Sequence, residues 1–526
     1  MASTGATIVT SGLSIGTDIT WSNPGRITAN DGSSASLGLI PPQQSQYLTG
    51  TGLGFSVSSY ATITGIELGV YGNVVAGASQ IVGLTKNGTT QAGSTKTGSQ
   101  GGTLSLVTYG SSSDLWGTTW TPSEVNASTF GGFYRFANFS SGMKIANVDY
   151  VQVNVYYTLP TTRYWVGGTA NWDTTAGTKW AYTSGGVGGA SVPDTTNDVF
   201  FDASSGSGNT TFSLSTNIKS LDMTGYTGTL THSAGQILTF LSNGGTNIVK
   251  FAGTYILGDP VTSEIDFDAT SNPAVYNFTT GGNTFGNILV GPYHGGNTVT
   301  LQDNLNMGVG TSLTLRKGNF DANNKNLSIG LFYSSNGNTR TLTMGSGIWS
   351  LSGDDTTGNT WDITASTGLT LNSNTSTIKF TSNSGGTATF IGGGKTYYNF
   401  WNSIGTMEVV RNADTGNTFN NFKIDPGQAQ LFGSDTTTTV ASFEAVGTSA
   451  NPIFISNDNI NPFTISKSSG TVNVAYCYIS LSVTAGGATW NSYTTSGNTD
   501  GGGNTGWNFN NTFGFPLIFN RLRRTP

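Results

Sequence analysis

Side chains that usually carry chemistry are scarce in this chain. One cysteine, Cys477, and two histidines, His232 and His294, stand among 526 residues. A single thiol excludes an intrachain disulfide framework, so stability must come from stacking and hydrogen bonds. The histidines are about 60 residues apart, with no cysteine or carboxylate at ligand spacing, which leaves neither a zinc signature nor a Ser-His-Asp arrangement. Charged residues are only 9%, for a net charge of −6, and the 21 Lys and Arg are scattered. That excludes a basic nucleic-acid footprint. No apolar run approaches the ~20 residues of a membrane span, so no membrane insertion is expected, and no long stretch carries apolar residues at helical spacing. Residues 1–16 lack both a basic segment and an apolar core, so a Sec-type leader is not expected.

What is abundant is Gly, at 75 residues, together with Thr, Ser and Asn. Disordered chains share that bias but are poor in aromatic and β-branched residues. Here aromatics reach 11%, and Thr, Val and Ile recur in short alternating runs. The combination predicts an all-β protein of many short strands and tight turns. One phrase organises the second half: Thr284-Phe285-Gly286-Asn287-Ile288, Thr396-Tyr397-Tyr398-Asn399-Phe400 and Thr418-Phe419-Asn420-Asn421-Phe422 all read Thr-aromatic-x-Asn-apolar. The last two start 22 residues apart, about one turn of a β-solenoid, a coil stable only when stacked on its neighbours. The aromatics are expected inside and the Asn at coil corners, where Asn ladders can stack.

Four segments follow. Residues 1–160 read as a jelly-roll-like β-sandwich for attachment or oligomerisation, because Ile66, Leu68 and Val70, and likewise Val151, Val153 and Val155, alternate with other residues at period 2. Within it, Ser123 is expected to cap one helical turn after Pro122. Residues 161–209 carry Trp165, Trp172 and Trp180 just before the repeats, as a cap over the raw first coil would. Residues 210–510, with Gly-Asn-Thr recurring from Gly208 to Gly503, read as a right-handed parallel β-helix with coils of unequal length. Residues 511–526 form a tail with Arg521, Arg523 and Arg524, read as a solvated basic end.

Three stretches in the first segment, 61–68, 114–122 (Asp114-Leu115-Trp116-Gly117-Thr118-Thr119-Trp120-Thr121-Pro122) and 149–158, resemble a sandwich module of tailed-phage virion proteins. The opening, 164–172 with Lys179-Trp180 and 198–202, and the close, 498–509, resemble the ends of repetitive solenoid surface proteins of phages and bacteria. The resemblance implies a structural protein on the virion surface, assembled in the host cytoplasm, as a tail fibre or spike, or as a head fibre or capsid decoration. Implied partners are tail or capsid proteins, further copies in a trimer, and a host surface glycan or receptor. A bacterial adhesin is the cellular alternative.

Candidate site residues are few. Glu264, Asp266 and Asp268 alternate on one strand and are expected to line the outside of a coil, the arrangement a glycan depolymerase would need. The ordinary expectation is a solvated acidic face without catalysis. Asp354, Asp355 and Asp362 make a second acidic group near Trp349 and Trp361. Trp116, Trp120, Trp349 and Trp361 are the candidate sugar-stacking rings, although burial in the sandwich is the expected fate of Trp116 and Trp120. No cofactor is expected. Asp194, Asp198 and Asp202, with Asn197, are the only Ca²⁺ candidates, and turn formation is their default role. Cys477 fits a small buried position better than a reactive thiol.

Overall fold

The computed structural model describes residues 1–353, 359–381, 387–404, 409–412, 416–457 and 459–510. The basic tail and the acids Asp354 and Asp355 lie outside them. The protein is 49% strand and 3% helix, and it divides into Met1–Pro160 and Thr161–Pro526.

The first unit is built on two long strands, Thr62–Val74 and Lys144–Thr158. Their antiparallel register sets Val70 against Val151, Leu68 against Val153 and Ile66 against Val155. All six are fully buried, as period-2 alternation requires of a strand with one face in a core. Ser105–Ser111 and shorter strands complete that six-stranded sheet. A second antiparallel sheet runs in the order Ser11–Ile15, Tyr47–Thr51, Gly131–Ala137, Ser79–Thr85, Gln91–Thr97. One hydrophobic cluster holds side chains of both, including Trp21, Tyr134, Phe136 and Val151. The helix Pro122–Asn126 is capped by Thr121 rather than Ser123. Thr121 and Glu124 form a reciprocal capping box, and Pro122 takes the first turn, where its missing N–H costs nothing.

The second unit holds a β-solenoid of about 12 turns. Its walls are sheets of ten, thirteen and ten strands, parallel except at Trp180–Ala181, in which each of the other strands pairs with the equivalent strand one coil later. The second and third copies of the repeated phrase lie directly on one another: Thr396 pairs with Thr418, Tyr397 with Phe419, Asn399 with Asn421 and Phe400 with Phe422. In-register strands ~4.8 Å apart force like residues to stack. Phe400 and Phe422 do so at 4.5 Å and 16°, and Phe422 and Phe443 at 5.8 Å and 19°. Tyr397, Phe400, Phe419 and Phe422 are all buried. Each such ring pair adds about 0.5–1.5 kcal/mol beyond area burial.

The Asn positions correct the expectation of corners. Asn399 and Asn421 lie within the straight strands Thr396–Asn402 and Thr418–Ile424, in a row with Thr377, whose hydroxyl accepts from Asn399 Nδ2 at 3.1 Å. Only the first copy turns: Thr284–Phe285 and Asn287–Val290 belong to different sheets, with Gly286 between them. A Cβ on Gly286 would lie 2.3 Å from the Ser263 carbonyl oxygen, so the chain can bend there only because that side chain is missing.

The first coil is closed by aromatics. Trp180–Ala181 pairs antiparallel with Thr162–Trp165, which in turn starts the parallel stack through Asp198–Phe200. Trp165 and Trp172 both meet Trp180 edge-on, at 5.0 and 5.1 Å. At the other end Trp490 meets Trp507 at 5.1 Å. Cys477 is buried, and burial pushes its thiol up to about 12, so it is an inert core group.

Candidate functional site

The acidic strand Glu264–Ala269 lies in the thirteen-stranded sheet, with Ile265 and Phe267 pointing into the core between Leu238 and Ile288 and between Phe240 and Val290. Glu264, Asp266 and Asp268 therefore share the opposite face, as period 2 dictates. They are not the open solvated row expected. Asp266 is 6% exposed and Asp268 1%. Across the sheet Asp266 is flanked by Thr239 and Leu289, and the turn after Asn287–Val290 folds back so that the His294 N–H donates to Asp268 Oδ1 at 3.0 Å. His294 Nδ1 stands 3.6 Å from Asp268 Oδ2. Asp266 Oδ1 is shielded from solvent and has no hydrogen-bond partner. Burial, then the Glu264 and Asp268 charges, push the Asp266 carboxyl up to about 8, and the Arg316 charge offsets only part of this. Asp266 is therefore a carboxyl that keeps its proton near neutral pH, in a position nearly closed to solvent.

The other candidates fall apart into local roles. Trp116, Trp120, Trp349 and Trp361 are all buried, so none presents a face to a sugar ring. Trp116 and Trp120 donate their indole N–H to the Ile66 and Leu115 carbonyls, which satisfies the polar end of each ring inside the first unit. Trp349 and Trp361 meet Phe332 inside the solenoid. Asp194 binds the Thr196 N–H and hydroxyl, Asp198 accepts from Ser220 and Lys219, and Asp202 caps the short helix Ala203–Ser205. Each acid is thus spoken for separately, and among the described residues no three His, Cys, Asp or Glu side chains are grouped for a metal ion. Asp362 likewise turns to the Thr364 N–H and hydroxyl.

One aromatic position escaped the sequence. Ten of the eleven tryptophans are buried, and Trp401 alone is half-exposed. It sits in the outward row Lys379, Trp401, Lys423, Glu444 of three neighbouring coils and the next. Lys379 Nζ lies 3.8 Å and Lys423 Nζ 4.3 Å from its ring centroid. Lysines therefore hold both flanks of the indole, and sugar stacking there would have to displace them. The signal was present only as in-register partners 22 residues apart, which needs the coil length before it can be read. Comparison with protein-family models, with curated proteins and with solved structures found no match.

Proposed function

We propose that this protein is a structural surface protein of a tailed-phage virion, a fibre or spike used for adhesion to the host surface. The observation that carries the reading is a solenoid of about 12 turns with Thr- and Asn-rich outer rows, in a chain that also has a separate two-sheet unit. In this reading the N-terminal unit is a jelly-roll-like attachment and oligomerisation module, and the right-handed coils form the exposed shaft of a homotrimer. Adhesion by such a surface relies on many weak contacts multiplied by copy number. A head fibre or capsid decoration uses the same parts attached elsewhere. Immunogold labelling of purified particles is the test. Label on tails supports the fibre, label on heads the decoration, and particles without label end the virion reading and leave the cellular adhesin.

A second reading, hydrolysis of a surface polysaccharide, draws on Asp266 with Glu264 beside it, because a carboxyl that keeps its proton near neutral pH is what general acid catalysis needs. The burial of Asp266 weighs against it. Release of reducing ends from host polysaccharide, abolished by Asp266→Asn and by Glu264→Gln, would establish it.

A further inference from the structure

Phe133 is 3% exposed yet stands outside the hydrophobic cluster of the N-terminal unit. Its strand neighbours Tyr134 and Phe136 belong to that cluster, so alternation along Gly131–Ala137 does not account for its burial. Phe133 lies over Gly83 of the adjacent strand, where an added Cβ would come within 2.4 Å of the ring. Beside it stands Tyr47, with ring centroids 4.7 Å apart and planes at 75°. The two rings make a corner, and the corner forms part of the wall of a hollow of about 250 Å³.

The rest of the lining is neutral and hydrogen-bonding: Thr49, Thr85, Thr90 and Gln91. Its lip, 86–91, is built. Asn87 Oδ1 accepts from the Thr89 and Thr90 N–H groups, and the Gly88 N–H donates to Thr85 Oγ1. The charged neighbours are engaged elsewhere. Lys86 Nζ bonds Glu124 at 2.7 Å and lies 5.0 Å from the Trp120 ring. Arg135 bonds Asp18 at 2.7 Å while its guanidinium lies 5.0 Å from the Tyr47 ring, which fixes that ring in place. No charged side chain lines the hollow.

We infer that this hollow is a binding site for one neutral saccharide ring. A pyranose has apolar C–H groups for the Tyr47 ring, the more open of the two aromatics, and a rim of hydroxyls for threonine and glutamine. The volume falls just under the ~300 Å³ at which drug-sized pockets begin, which suits a single six-membered ring. A preformed wall needs no ordering on binding, but a ligand this small binds at about millimolar Kd, so useful adhesion requires many copies. The site is independent of the solenoid and of where the protein is mounted.

Saturation-transfer NMR on the full chain tests it, with glucose, galactose, mannose and N-acetylglucosamine as probes. Glucuronate serves as the charged control and toluene as the apolar one. At least one neutral sugar is expected to receive saturation, and its affinity should fall tenfold or more in Tyr47→Ala and in Thr90→Trp. The latter fills the hollow from the exposed lip without touching the core, and Trp401→Ala should leave binding unchanged. Absence of transfer to all four sugars, transfer that survives both hollow variants, or equal binding of glucuronate or toluene would overturn the assignment.

Discussion

The two units solve burial in opposite ways. In the N-terminal unit, antiparallel strands far apart in sequence converge on one cluster, so Trp21 and Val151 share a core. In the solenoid, rings meet their counterparts in the coils above and below, as Phe400 meets Phe380 at 5.4 Å and Phe422 at 4.5 Å. The first is a cooperative domain. The second is close to a one-dimensional stack in which stability is summed from neighbour to neighbour. The solenoid buries His232, Asp266, Asp268 and Arg340 against its own coils. Arg340 is satisfied by Ser334, Asn338, Ala365 and Thr367 of its own and the next turn.

The largest effects should come from core truncations that separate the two modes. Leu68→Ala should cost about 2–5 kcal/mol and Phe400→Ala about 3–5 kcal/mol. Hydrogen exchange should show protection lost across the whole N-terminal unit for the first, and only in the coils around 377–424 for the second. Loss spread evenly over all coils in Phe400→Ala would break the comparison.

Acidity should come next. His232 is held neutral between the Tyr255 hydroxyl, at 2.6 Å, and the Gln236 carbonyl, at 2.8 Å, and burial pulls it down to about 4. The unfolded chain takes that proton near pH 6.5, so stability is full above 6.5 and falls by about 3 kcal/mol as pH drops towards 4. Asp266 runs the other way. Its carboxyl ionises near 4 when unfolded and about 8 when folded, so stability is full below 4 and falls as pH rises to 8. Between about 4 and 6.5 the two slopes oppose each other. From 6.5 to 8 only the Asp266 slope remains. Denaturant titrations should therefore find the solenoid weakening between pH 6.5 and 8, and Asp266→Asn should level that decline while the N-terminal unit stays flat. A wild-type solenoid equally stable at pH 6.5 and 8 would contradict the buried acid.

Corners offer a smaller contrast. Gly318 has φ +75° and an added Cβ would sit 2.6 Å from the Asn297 carbonyl oxygen, whereas Gly142, at φ +78°, has open space around it. Gly142→Ala should cost only the ~1–2 kcal/mol of a left-handed residue, and Gly318→Ala measurably more, read as a difference in melting temperature. The smallest effect is expected at the outer row. Trp401→Ala removes two exposed cation–π contacts and should cost about 1–2 kcal/mol at most, with the protection of Phe400 unchanged.

Much of the solenoid was legible because its physics is local and repeated. An aromatic that must stack on its counterpart one coil later leaves a trace at fixed spacing, and Tyr397 on Phe419 is that trace. The Asn corners were misread because a strand's length cannot be seen in a phrase of five residues. Thr396–Asn402 runs straight where Thr284–Phe285 stops. The candidate site was less legible. Alternation correctly put Glu264, Asp266 and Asp268 on one face, but the turn that closes on Asp268 comes some 25 residues later, and nothing in the strand announces it.

By itself, then, composition and the repeated Thr-aromatic-x-Asn phrase determined an all-β chain with stacked coils and rings inside, since period-2 alternation and in-register stacking leave no other place for them. Tertiary structure alone decided which groups meet solvent. It buried ten tryptophans and left Trp401 between two lysines, closed a neighbouring turn onto Asp268, and set Tyr47 against Phe133 outside the core. Exposure is a property of what lies across the sheet and in the next coil, and those neighbours are not neighbours in sequence.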